Sequence, residues 1–130
     1  MDNKEVLSAS CLLLSIVKAD GIINDNEINV TKDIISDFFN IDIEQTNAII
    51  KLALDRLNKS TDIFEFSREV NDNFTYQDKI DFICSSFEIA VSDGNLDNHE
   101  DYIIKKIATM LNVKHTDLIR AKSSIKKYLY

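Results

Sequence analysis

The sequence contains no proline, no tryptophan, two glycines and two cysteines among 130 residues. Ordinary globular chains carry about 7% Gly and about 5% Pro, and hairpins and tight turns depend on them for their backbone angles. A sandwich, barrel or hairpin-rich fold is thereby excluded. Cys11 and Cys84 are too far apart for any C-x-x-C redox or zinc pattern. A chain of this length buries roughly two thirds of the surface its unfolded form exposes, so it needs no disulfide or structural metal. Long apolar runs are also lacking. The most apolar stretch, Cys11 to Val17, includes Ser15 and is followed by Lys18 and Asp20, whereas a membrane span takes about 20 residues. The opening Met-Asp-Asn-Lys-Glu-Val has neither the basic start nor the small-residue cleavage site of an export signal. The expectation is one all-α cytoplasmic domain over residues 1–130.

Charge is unevenly distributed. The net charge is −7, yet residues 105–130 hold seven basic side chains against the single acid Asp117, so an acidic body carries a basic C-terminal segment. An acidic body argues against nucleic acid, which is bound through clustered Lys and Arg. Lys114, Arg120, Lys122, Lys126 and Lys127 form a candidate basic surface for an acidic protein or an anionic membrane face. The simpler reading of the same residues, with Lys105 and Lys106, is a solvated helix face that offsets the acidic body.

Helix starts are marked by capping boxes, in which a Ser, Thr, Asp or Asn and a Glu or Gln three residues on satisfy each other's backbone N–H groups. The pattern occurs at Asn24/Glu27, Asp42/Gln45, Asp62/Glu65 and Asp97/Glu100, with a weaker version at Thr75/Asp78. Apolar residues at helical spacing follow, as in Ile103, Ile104, Ile107, Ala108 and Leu111. Seven helices are predicted: 4–19, 25–39, 43–58, 63–72, 76–92, 98–111 and 116–129.

Both glycines sit in a repeated motif. Asp20-Gly21-Ile22-Ile23-Asn24-Asp25-Asn26-Glu27 aligns with Asp93-Gly94-Asn95-Leu96-Asp97-Asn98-His99-Glu100 at an offset of 73. Upstream, Leu7 pairs with Ile80, Cys11 with Cys84, Leu14 with Phe87 and Ile16 with Ile89. After a one-residue gap, Phe39-Asn40-Ile41 pairs with Leu111-Asn112-Val113. The expectation is a bundle with two pseudo-symmetric halves, 4–58 and 76–129, bridged by the helix at 63–72.

Two readings of the DG turns stand side by side. As punctuation, Gly ends a helix in a left-handed turn and Glu closes the next capping box. As a site, Asp20, Glu27, Asp93 and Glu100 supply hard oxygen ligands for Ca²⁺ or Mg²⁺ if the two turns approach one another, with Asp25 and Asp101 adding carboxylate nearby. The spacing matches the second half of an EF-hand loop. The first half is missing, because Ile16 or Ile89 and Lys18 or Val91 stand where oxygen ligands are required. An EF-hand is excluded.

Catalysis finds no motif. His99 and His115 belong to no metal-binding pattern, two glycines preclude a phosphate loop or nucleophile elbow, and the two cysteines sit on apolar stripes as small core side chains. No catalytic residue is assigned and no enzyme is expected.

Lys18-Ala19-Asp20-Gly21-x-Ile23-x-x-x-Glu27 and Val91-Ser92-Asp93-Gly94-x-Leu96-x-x-x-Glu100, flanked by apolar helices, resemble the TerB family of bacterial tellurite resistance over residues 7 to 120. The resemblance implies a seven-helix all-α fold. It also implies a non-enzymatic role in tellurite, metal or other chemical stress, through cation binding or assembly with membrane-associated partners. The acidic positions of that family map to Asp20, Glu27, Asp93 and Glu100. A DnaJ-type co-chaperone also carries such a domain, but this chain lacks the His-Pro-Asp triplet of a J-domain.

Overall fold

The computed structural model describes residues 3–19, 21, 23, 25–59, 62–92, 94 and 96–126. Among them are seven α-helices and no strand: α1 (Asn3–Val17), α2 (Asp25–Phe39), α3 (Ile43–Lys59), α4 (Ile63–Asn73), α5 (Tyr76–Ala90), α6 (Asn98–Met110) and α7 (His115–Lys126). All seven predicted helices are present.

The architecture follows from α1. Its Ala9, Ser10, Cys11, Leu12, Leu13, Leu14 and Ile16 are all fully buried. A helix that is apolar all round has no face to give to water and must be covered on every side; α2, α3, α4, α5 and α6 all pack on it. The stretch too short for a membrane span is thus the centre of the core. Around α5, Phe82, Ile83, Phe87 and Ile89 extend that core toward α6 and α7. At one end, Phe38 stacks on Phe74 at 5.3 Å between ring centroids, and Phe82 meets Phe74 edge-on at 5.7 Å. Such aromatic pairs add to what their buried area contributes.

Three buried hydroxyls are satisfied within their own helices. Ser10 donates to the Val6 carbonyl (2.8 Å), Thr31 to that of Glu27 (2.7 Å) and Ser86 to that of Phe82 (2.9 Å), so polar atoms enter the core without loss of pairing.

Helix starts conform to the sequence only in part. Asp42 and Gln45 form the full box: the Gln45 N–H donates to Asp42 Oδ1 (2.8 Å) and the Asp42 N–H to Gln45 Oε1 (3.2 Å). Thr75 and Asp78, the weaker pattern, also close a complete box. Asp62 and Asp97 instead accept from N–H groups two residues on, those of Phe64 (3.0 Å) and His99 (2.7 Å). Asn24 lies outside the described residues.

The two DG turns share their local hydrogen bonding. The Gly21 N–H donates to the Lys18 carbonyl (2.9 Å) and the Gly94 N–H to that of Val91 (2.8 Å). Gly21 has φ +81° and Gly94 φ +97°, and a Cβ at either would meet open space. Backbone angle, not crowding, therefore requires glycine there. Past α2 and α6, Asn40 and Asn112 take up positive φ as well, a conformation asparagine tolerates.

A polar joint fixes α7. Lys122 Nζ lies 3.1 Å from Asp101 Oδ1, and Lys105 Nζ lies 3.1 Å from Asp101 Oδ2. Burial by itself would raise the Asp101 carboxyl; hydrogen bonds and charge from Lys105 and Lys122 outweigh it and hold the group below the ordinary carboxylate range. At the far end of α7, the Tyr76 hydroxyl donates to Asp117 Oδ2 (2.6 Å) and accepts from the Lys114 N–H (3.0 Å), tying the start of α5 to that of α7.

Two stability predictions follow from these contacts. Gly21→Ala and Gly94→Ala each lose about 1–2 kcal/mol in urea unfolding because the left-handed angle is strained for Ala, while Asn112→Gly changes stability by less than about 0.5 kcal/mol. An unchanged unfolding midpoint in the two alanine variants would contradict this. Asp101→Asn costs roughly 1–2 kcal/mol at neutral pH. Since the folded carboxyl titrates lower than the unfolded one, this contribution is complete above about pH 4 and disappears as pH falls through the depressed folded value. The gap between wild type and variant should narrow only below about pH 4 in pH-dependent urea titrations.

Candidate functional site

The start of α2 abuts the end of α5: Asn26 Nδ2 donates to the Ser92 carbonyl at 3.0 Å. This contact joins the first turn of α2 to the residue that follows Val91. Of the four candidate ligands, Glu27 and Glu100 are each only 2% exposed. Asp20 and Asp93 lie outside the described residues. Among the described residues, no three His, Cys, Asp or Glu side chains are arranged to hold a metal ion.

Glu27 and Glu100 are thus buried, a depth that the capping-box pattern does not itself specify. Each sits in the first turn of its helix, where unpaired N–H groups and the helix dipole favour negative charge. That position is what makes a carboxylate tolerable at such depth. The neighbouring acids differ: Asp25 is exposed, whereas Asp101 is committed to Lys105 and Lys122.

The candidate basic surface divides in the same way. Lys114 and Arg120 are exposed, Lys122 belongs to the joint between α6 and α7, Lys126 ends α7, and Lys127 lies outside the described residues. His99 and His115 are exposed, with His99 Nδ1 3.0 Å from Asp97 Oδ1.

The cysteines differ from one another. Cys11 is fully buried, and loss of solvent, only partly opposed by Arg56, pushes its thiol up to about 11. Cys84 is half-buried, less deep than its apolar stripe suggests, and burial followed by the charges of Asp81 and Glu88 raises its thiol too. Both thiols are therefore protonated at neutral pH, and a protonated thiol is a poor nucleophile.

One surface has no counterpart in the sequence reading. Phe64 on α4 is 59% exposed and Tyr102 on α6 is 65% exposed, with half-buried Met110 beside both. The Ser67 hydroxyl lies 3.4 Å from Met110 Sδ, and Asn71 Oδ1 lies 3.5 Å from Asn112 Nδ2, which sets α4 and α6 side by side. A shallow depression bordered by Phe64, Arg68 and Met110 continues into one bordered by Tyr102, Lys105 and Lys106. Near the start of α4, a cavity of about 250 Å³ is lined by Ser15, Lys18, Leu57, Ile63, Ile103 and Lys106. A signal for this face exists in the sequence. Phe64 falls off the stripe of Ile63, Phe66 and Val70, the buried residues of its helix, so a large aromatic is placed where a polar residue is the norm.

Among described residues, no helix is long and apolar enough to cross a membrane. Among solved structures the chain is similar to a protein of unknown function from Porphyromonas gingivalis W83, with 20% identity and a TM-score of 0.72 over 97% of this chain and 90% of that one. The likeness is one of fold. No curated protein matches the chain significantly. The family model for tellurite resistance protein TerB matches residues 6–123, from the first buried turn of α1 into α7, and the chain belongs to the TerB family.

Proposed function

We propose that this TerB-family chain is a non-enzymatic interaction module, acting in the cytoplasm in the response to tellurite, metal or other chemical stress. The observation that carries the reading is the α4–α6 face, where Phe64 and Tyr102 flank Met110 in open solvent. Exposed aromatics around a shallow apolar depression are characteristic of protein-binding surfaces, in which a few such residues supply most of the affinity. Lys114 and Arg120 are each exposed and add positive charge that steers an acidic partner. The protonated thiols disfavour direct reduction of tellurite by Cys11 or Cys84. Free cysteines suit a cytoplasmic setting.

Affinity capture from an extract of the producing cells tests this reading. Wild-type protein should retain a partner that Phe64→Ser/Tyr102→Ser loses, with helical content and unfolding midpoint unchanged. Lys114→Glu/Arg120→Glu should weaken capture mainly at low salt. Identical capture by wild type and the Phe64/Tyr102 variant would remove the α4–α6 face from the reading.

The bond between Asn26 and Ser92 favours a second reading, divalent-cation binding by Asp20, Glu27, Asp93 and Glu100. Chelator-stripped protein should then unfold at a higher temperature in Ca²⁺, Mg²⁺, Mn²⁺ or Zn²⁺, while Asp20→Asn/Asp93→Asn should not respond. An ion at about 100 times its dissociation constant adds roughly 2.7 kcal/mol, a rise of several degrees for a domain of this size. No rise with any ion would leave the turns as helix punctuation.

A further inference from the structure

We propose that the cavity where α1, α3, α4 and α6 meet binds a short-chain aliphatic carboxylate. Its walls are apolar side chains from three helices: Leu57 of α3, Ile63 of α4 and Ile103 of α6. Leu57 and Ile63 belong to the buried core, so the floor is held in place by the fold before any ligand arrives. The volume of about 250 Å³ falls below the roughly 300–1,000 Å³ of pockets for drug-sized ligands. A short aliphatic tail, smaller than a drug-sized skeleton, is the corresponding scale.

The polar lining selects the head group. Ser15 donates its hydroxyl hydrogen to the Leu12 carbonyl at 2.6 Å, so it has no donor left to offer. The remaining polar lining comes from Lys18, just beyond α1, and Lys106 of α6, whose long side chains can bring their ammonium groups to the opening. Lys18 donates one hydrogen bond to Asn58 Oδ1 at 3.2 Å, which leaves two donors; among the described residues Lys106 has no ion pair. Among the described residues neither Lys18 nor Lys106 has an ion-pair partner, so two cations at the rim of an apolar cavity attract an anion from outside. The cavity lies at the C-terminal end of α1, where the helix dipole is negative. That favours a monoanion with an apolar tail over a compact dianion such as phosphate.

The test is a titration of full-length, methyl-labelled protein followed by NMR. Hexanoate should shift the Leu57, Ile63 and Ile103 methyl signals saturably, whereas hexylamine should not bind and 1-hexanol, acetate and inorganic phosphate should bind at least roughly tenfold more weakly. Lys106→Glu, at an exposed position that leaves the core intact, should weaken hexanoate binding by at least roughly tenfold. Absence of saturable shifts, equal affinity for hexanol, or unchanged affinity in Lys106→Glu would overturn the proposal. Phe64→Ser/Tyr102→Ser should bind hexanoate normally, so this proposal and the interaction reading fail independently.

Discussion

The fold depends on the enclosure of α1. A fifteen-residue helix with Leu12, Leu13 and Leu14 in succession, all fully buried, cannot lie on a surface with one face in water. Burying each such side chain contributes about 1.5–3 kcal/mol, so five surrounding helices gain most from closing on α1 together. That demand sets the bundle's topology: α2, α3 and α4 cover α1 along with α5 and α6, and α7 closes the outer side of α5. Polar contacts then set details. The Lys122–Asp101 pair and the Tyr76–Asp117 bond fix where α7 lies, but neither would assemble the bundle without the core beneath it.

The same enclosure gives the DG turns their character. Because α2 packs on both α1 and α5, and α6 on both α5 and α1, one side of the first turn of α2 and of α6 faces inward while the other stays exposed. Glu27 and Glu100 are carried into the interior with them. A carboxylate at that depth needs compensation, and the start of a helix provides it in unpaired N–H groups and a positive dipole end.

Charge asymmetry along the chain resolves differently in three dimensions. The basic C-terminal segment does not stand apart from the acidic body, since Lys105 and Lys122 converge on Asp101 and Lys106 borders the apolar cavity. What remains open to partners is smaller and more varied than the count of lysines suggests. Lys114 and Arg120 remain exposed, and aromatic groups predominate on the α4–α6 face.

Local rules were enough for the elements. Periodicity, caps at Asp42 and Thr75, and two glycines at positive φ follow from backbone chemistry that each segment carries within itself, so seven helices and their breaks could be read residue by residue. Family membership was readable for the same reason, because its marks are contiguous turns. Burial of Glu27 and Glu100, capture of Lys122 by Asp101, and the half-exposure of Cys84 could not be read that way, since each depends on a helix distant in sequence lying alongside. The α4–α6 face and its cavity belong to this second group. Phe64 off its stripe hinted at an exposed aromatic, but only packing brought Tyr102 and Met110 beside it and placed Lys18 and Lys106 at one opening, because a surface is created by neighbours that the linear order keeps apart.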